Sequence, residues 1–272
     1  MSIIDKLNET VSVIKEYYED APQVGIVLGS GLGNFRNELD IDCEIPYSDI
    51  PYFPESTVEG HSGKLIFGTL SGKRVVCMAG RFHFYEGYSA ADVAFPIRVM
   101  KLLGIKALLL SNAAGGMNHA FRVGDLMVIT DHISLFAHNP LLGPNLDELG
   151  PRFPDMSEPY NKELISKAKE VAREKGIPLH EGVYAGVTGP TFETRAEYKM
   201  LHILGADAVG MSTVQENSVA RHMGLQVFAL SVITDLGIRD ELNLITHEEV
   251  LEAAKAAEPK MASIFKGIIA KL

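Results

Sequence analysis

Arg81 and His83 stand two residues apart in Gly80-Arg81-Phe82-His83-Phe84-Tyr85-Glu86-Gly87-Tyr88, which follows the apolar run Arg74 to Met78. On an extended segment alternate side chains share a face, so a guanidinium and an imidazole here can aim at one ligand. The planar fork of arginine suits phosphate oxygens. A surface ion pair between Arg81 and Glu86 is the plainer alternative. Three other stretches could bring donors to the same anion. Gly29-Ser30-Gly31-Leu32-Gly33 follows Val24 to Leu28; its glycines let backbone N–H groups approach a ligand closely, and Ser30 adds a hydroxyl. Asn112-Ala113-Ala114-Gly115-Gly116 follows the run Ala107 to Leu110 and is again small enough for close approach. Val209-Gly210-Met211-Ser212-Thr213 hands over to a helical pattern, where Ser212 and Thr213 either cap the helix or share its N-terminus with an anion. Each stretch alone is modest. Four donor-rich loops at the carboxyl ends of strands, where α/β sheets place their sites, point to an enzyme that handles phosphate.

The elements that must position them read as an alternation of short apolar runs and longer helical patterns. Ile3, Ile4, Leu7, Val11, Ile14 and Tyr18 recur at helical spacing, which predicts a helix over residues 2–20. Strands are predicted at 24–28, 107–110, 126–130, 183–187, 208–210 and 227–233, with a hairpin of 64–69 and 74–78 around Leu70-Ser71-Gly72-Lys73. Helices are predicted at 90–103, 161–175, 195–204, 215–223 and from 247 to the end. A loop from about 137 to 159 carries Pro140, Pro144, Pro151, Pro154 and Pro159 and is long enough to suggest a role of its own. Hairpin and βαβ signals together imply an α/β fold, a central mixed β-sheet flanked by helices, in one domain over residues 1–272.

Composition narrows the partners. Of 272 residues 46% are hydrophobic, enough for a substantial core, and 25 basic against 35 acidic residues give a formal charge of −10. An acidic chain is a poor binder of nucleic acid, which demands many cationic contacts, although local donors can still hold a small anion. Cys43 and Cys77 form no CxxC pair, so no zinc framework or disulfide is expected and both read as small apolar residues. With no secretory signal and no apolar run of membrane-spanning length, the expectation is a soluble, cytoplasmic protein without a membrane partner.

At Gly80 to Tyr88 the chain resembles the trimeric purine nucleoside phosphorylases. The likeness runs nearly end to end through GSGLG (29–33), EGHSG (59–63), SNAAGG (111–116), DHISLFAHNPLLGPN (131–145), RFPDMSEPY (152–160), GPTFETRAE (189–197), GADAVGMST (205–213), ITD (233–235) and HEEV (247–250). The related methylthioadenosine phosphorylases share the fold but match less well at GRFHFYEGY and VGMST. The resemblance implies phosphorolysis: phosphate replaces the purine on C1′ of the sugar, giving free base and α-(deoxy)ribose 1-phosphate, with phosphate as co-substrate and no metal or other cofactor. It implies phosphate contacts from Ser30, His61, Arg81, His83, Asn112, Ala113 and Ser212, His61 having a plain surface histidine as its alternative. Ribose contacts would come from Tyr85, Met211 and His247, and from Phe153 reaching into the neighbouring subunit of a homo-trimer. The base pocket would be Phe192, Glu193, Val209, Thr234 and Asp235, with His83, Glu193 and Asp235 in catalytic roles. Glu193 has a second reading, as a cap on the helix from residue 194.

Position 235 departs from the family pattern. Mammalian and many bacterial members carry asparagine there, whose amide both donates to a 6-oxo group and accepts from N7–H. An ionised aspartate only accepts; a protonated one, in a dry pocket, donates. Asp235 could also turn away and cap the turn at Gly237. Inosine and guanosine are the expected substrates, with adenosine or methylthioadenosine as the alternative. A non-catalytic nucleoside binder is disfavoured because every other position keeps a competent residue. A dinucleotide-dependent dehydrogenase is disfavoured because Asn34 stands where the third glycine of its fingerprint belongs.

Overall fold

The computed structural model describes residues 1–58, 62–238 and 245–272. Its regular elements in chain order are α1 (Ile3–Tyr17), β1 (Val24–Val27), β2 (Asp40–Pro46), β3 (Lys64–Leu70), β4 (Lys73–Ala79), α2 (Ala90–Leu103), β5 (Ala107–Gly116), β6 (Leu126–Ser134), α3 (Lys162–Lys175), β7 (Leu179–Gly186), α4 (Arg195–Ile203), β8 (Ala208–Gly210), α5 (Val214–His222), β9 (Gln226–Leu236) and α6 (His247–Ala270). This is the mixed α/β arrangement expected, a central sheet flanked by helices. β1 is apolar throughout and wholly buried, as a strand covered on both faces must be. It lies parallel to β4 on one side and β5 on the other. The expected hairpin of β3 and β4 forms around Ser71 and Gly72, both at positive φ.

Among the described residues the sheet has nine strands in the order β2-β3-β4-β1-β5-β8-β7-β6-β9, and β5 also pairs with β9. That extra pairing bends half the sheet into a closed ring of β5, β8, β7, β6 and β9. Within the ring β5 and β9 are parallel, while β8 runs against β5, with Gly115 opposite Val209. β2 is the strand missed by sequence reading. It is an edge strand, and its largely exposed Asp40-Ile41-Asp42-Cys43-Glu44 shows no apolar run to betray it. β5 and β9 outrun their expected ends because Asn112 to Gly116 pairs with Ser231 to Leu236 across a bulge at Ala114/Gly115. The segment expected as a loop after β5 is therefore the end of β5 itself.

The turn after β1 is pinned from the far end of the chain. Gly31 has φ +75°, and a β-carbon there would lie 2.7 Å from Ala254 Cβ and 2.9 Å from the Leu251 carbonyl oxygen of α6. Just beyond, the Phe35 N–H donates to Glu258 Oε1 at 2.6 Å, in a buried site. Replacing Glu258 by alanine strands that N–H and is expected to cost about 1–3 kcal/mol. Thermal melts read the loss, and a rise in the phosphate KM shows that the Ser30 turn has loosened; an unchanged melt removes Glu258 as the anchor.

Candidate active site

The strand arrangement brings the four singled-out stretches to one place. β4, β1, β5 and β9 run the same way, so the turns after β4 and β1 and the last residues of β5 and β9 meet along one rim. β8 runs the other way, carrying the chain back along β5 so that Ser212 and Thr213 come beside Asn112, whose Nδ2 donates to Thr213 Oγ1 at 2.9 Å. A cleft of about 640 Å³ opens there. Ser30, Arg81, His83, Asn112, Ala113 and Ser212 line it, and so do Tyr85, Met211, His247, Phe192, Glu193, Val209, Thr234 and Asp235. Of the residues expected in the site, His61 lies outside the described residues. Phe153 is 87% exposed on the long loop, where the Arg152 guanidinium sits over its ring, and does not line this cleft of its own chain.

Arg81 is 1% exposed. Its ion-pair partner is Glu216 of α5 and not Glu86: Nε lies 3.1 Å from Glu216 Oε1, both side chains being buried. One terminal nitrogen donates to the Ser111 carbonyl at 2.6 Å and to Ser212 Oγ at 3.1 Å. A buried guanidinium held by a carboxylate, a carbonyl and a hydroxyl is fixed in orientation before any ligand arrives. Glu216 belongs to α5, a polar helix that is buried almost throughout.

Glu86 has a different task. His83 Nδ1 is 3.0 Å from Glu86 Oε1, which also accepts the His83 backbone N–H at 2.7 Å. Burial alone would raise the Glu86 carboxyl, but hydrogen bonds from His83 and Thr57 outweigh it and bring its pKa down to about 2. An ionised Glu86 can only accept, so Nδ1 carries a proton. Burial, reinforced by the charge of Arg81 and opposed by Glu86, lowers the His83 pKa, so the ring is neutral at neutral pH. Its Nε2 is then an acceptor, suited to the hydroxyl of a protonated phosphate. Tyr85 stacks on the His83 ring at 4.7 Å between centroids. Burial pushes its phenol up to about 12, so it stays a neutral hydrogen-bonding group.

Thr213 does not cap α5 with its side chain, although it stands at the cap position. Its φ of +72° and ψ of −46° form a three-residue γ-turn, in which the Val214 N–H donates to the Ser212 carbonyl at 2.8 Å. A β-branched residue at positive φ is strained, and such strain gathers where a site needs it. Here the turn sets Ser212 against Arg81 at the start of α5.

At the other end of the cleft, Glu193 is not the helix cap. Thr194 takes that place in a reciprocal pair with Glu197, leaving Glu193 to line the cleft. Burial raises the Glu193 pKa; hydrogen bonds from its own backbone and from Tyr198 oppose the rise, and the charge of Asp235 adds to it. Asp235 does not turn away toward Gly237. It is 7% exposed, lines the cleft, and accepts from Tyr198 Oη at 2.9 Å. Sequence reading missed Tyr198, Glu216 and the role of Glu86. Tyr198 and Glu216 sit in helical patterns where a buried position looks the same whether it packs or works. Among the described residues no group of three or more His, Cys, Asp or Glu side chains could hold a metal ion, and no helix is long and apolar enough to cross a membrane.

Comparison with known proteins fits this geometry. The model of the phosphorylase superfamily matches residues 23–270. The chain is 48% identical to purine nucleoside phosphorylase 1 of Bacillus subtilis (strain 168), over 98% of each chain. It superposes on the crystal structure of Schistosoma mansoni purine nucleoside phosphorylase in complex with adenosine with a TM-score of 0.95, at 45% identity, covering 100% of this chain and 99% of that one. The same enzyme in complex with inosine gives 0.94 at 45% identity, covering 100% and 98%.

Proposed function

The chain belongs to the purine nucleoside phosphorylases, within the phosphorylase superfamily, and on that footing we propose how its residues divide the work. The enzyme phosphorolyses purine nucleosides. Inosine and guanosine are the substrates proposed for it, as ribo- or deoxyribonucleosides. The observation that carries the reading is the single cleft in which the buried, pre-oriented Arg81 lies at one end and a pair of carboxylates, Glu193 and Asp235, at the other.

Phosphate is taken by Arg81, Ser30, Ser212 and the Asn112–Ala113 segment, with the neutral His83 accepting its hydroxyl. The sugar lies across Met211, within reach of Tyr85 and His247. The purine packs against Phe192 and Val209 beside Thr234, with Glu193 accepting from ring N–H. As the C1′–N9 bond breaks, positive charge grows on the sugar and the phosphate charge stabilises it. An oxygen of the phosphate then bonds to C1′, and the electron pair of the broken bond leaves with the purine. Asp235 is the group placed beside N7, its carboxylate accepting from N7–H once the leaving purine has taken a proton from solvent. The reaction takes phosphate as its second substrate and needs no metal or other cofactor. The whole chain serves as one catalytic domain working in the cytoplasm. Base release from inosine, guanosine, adenosine and methylthioadenosine, each with and without phosphate, tests this. Release from inosine and guanosine that depends on phosphate supports it; release independent of phosphate, or none from any nucleoside, overturns it. Dominant cleavage of adenosine or methylthioadenosine favours the second reading, which the carboxylate at position 235 motivates.

A homo-trimer is proposed because Phe153 is an aromatic ring almost fully in solvent on a loop that is otherwise tied down. Arg152 donates to the Leu141 and Gly143 carbonyls, and Asn145 to that of Gly150. In the trimer Phe153 would cover the sugar in the neighbouring cleft. Phe153→Ala is expected to raise the nucleoside KM about tenfold or more, the worth of burying one aromatic ring, with the phosphate KM little changed. Light scattering and steady-state kinetics check both parts; a monomer with full activity overturns the assembly.

A further inference from the structure

Tyr198 is 3% exposed, and its hydroxyl meets Asp235 Oδ2 at 2.9 Å. Two glycines make room for it. A β-carbon at Gly115 would stand 2.7 Å from the Tyr198 oxygen and 3.0 Å from Asp235 Oδ2, and one at Gly237 would stand 2.1 Å from the Tyr198 ring. The other carboxylate oxygen, Asp235 Oδ1, accepts from Thr234 Oγ1 at 3.2 Å. Both oxygens of Asp235 thus accept from hydroxyls of the protein. Hydrogen bonds donated to a carboxylate favour its charged form, and a charged carboxylate accepts but cannot donate. It attracts the amino hydrogens of a 6-aminopurine and repels the oxygen of a 6-oxopurine.

We propose that Tyr198 is a specificity-determining positioning residue, whose hydroxyl fixes the Asp235 carboxylate against Gly115 and holds it as an acceptor, so that the Tyr198–Asp235 pair sets the balance between 6-amino- and 6-oxopurine turnover. The inference rests on the reading of the cleft as the phosphorolysis site with Asp235 at the base. Among the described residues, groups face Asp235 from several sides. Tyr198 comes from α4, and Glu193, a second carboxylate whose like charge disfavours ionisation of both, from the segment before it. β5 presents Ala114 and Gly115, which carry no charge, and His247 of α6 lines the same cleft. Tyr198 donates to Asp235 Oδ2, and burial with the charges of Asp235 and Glu193 keeps its phenol protonated far above the ordinary range. It is therefore a donor at any working pH.

The test is kcat and KM for adenosine and inosine, from mildly acid to mildly alkaline pH, in the wild type, Tyr198→Phe, Asp235→Asn and the double variant. Tyr198→Phe is expected to move the adenosine-to-inosine ratio of kcat/KM toward inosine by about tenfold, the worth of one hydrogen bond to a charged group. It should also shift the acid limb of adenosine turnover to higher pH, since the ionised form has lost a donor. In the Asp235→Asn background the same change should leave the ratio where it is. Gly115→Ala, which pushes the hydroxyl off Oδ2 without removing it, should shift the ratio in the same direction. If Tyr198→Phe scales both substrates equally with no shift of the pH profile, or moves the ratio as much without Asp235 as with it, the proposal is wrong. Failure of the wild type to release base from either nucleoside would instead overturn the phosphorolysis reading.

Discussion

Arg81→Ala is expected to lower kcat/KM for phosphate by roughly 30- to 1000-fold, the loss of about 2–4 kcal/mol from the transition state. The size follows from where the guanidinium sits. It is buried and already oriented by Glu216, Ser111 and Ser212, so none of its interaction with phosphate is spent on ordering the side chain. The variant should also lose stability. Removing one partner of a buried ion pair leaves the other charge stranded, at about 3–5 kcal/mol. Arg81→Ala/Glu216→Gln separates the two effects, since it relieves the stranded carboxylate and should recover much of the melting temperature while leaving phosphate kinetics impaired. Arg81→Lys keeps the charge but not the fork, and should fall between. Phosphate kinetics unchanged in Arg81→Ala would take this residue out of the site.

Glu193→Ala carries the second large effect, a fall in nucleoside kcat/KM of roughly 100- to 1000-fold, with phosphate KM little changed. An acceptor for base N–H groups is lost, and each buried hydrogen bond to a charged group is worth about 1.5–3 kcal/mol. The pH dependence follows from the raised pKa, caused first by burial and then by the charge of Asp235. With Glu193 proposed to accept from the base in its ionised form, activity should fall as the pH drops through a value above the ordinary carboxylate range, and Glu193→Gln should abolish that limb. Stability has the opposite sign. The folded state holds this proton more tightly than the unfolded chain does, so the Glu193 charge costs stability once the pH rises past its unfolded pKa. Glu193→Gln is then expected to melt no lower than wild type at neutral pH while turning over far more slowly. A variant that lost activity and stability together would make Glu193 a structural residue.

Much of the site was legible because its chemistry is carried by residue types that have few other reasons to stand where they do. A glycine-rich turn after a buried strand, and an arginine two residues from a histidine at the end of another, constrain the backbone and the charge at once. The residues that hold them in place were not legible. Glu216 stands 135 positions from Arg81 and Tyr198 stands 37 from Asp235 in sequence, and nothing in a helical pattern says that a buried glutamate faces Arg81. The boundaries of β5 were hidden by the small residues that make close approach possible, since alanine and glycine carry no strand signal and only pairing with β9 and β8 makes a strand of them. β2 was hidden by its charges, which keep an exposed edge from pairing with other chains.

The closed ring of β5, β8, β7, β6 and β9 has a consequence for the order in which the enzyme is made. β5 lies before the middle of the chain, and its partner β9 ends at Leu236. A nascent chain on the ribosome can fold the β1–β4 half early, but it holds β5 with one side unpaired until β9 has been synthesised. Distant pairings of this kind form late and leave exposed edges meanwhile. The wall of the cleft formed by Thr234 and Asp235 of β9 and His247 of α6 is therefore the last part to be completed, and a chain released early would carry Arg81 in a cleft without that wall.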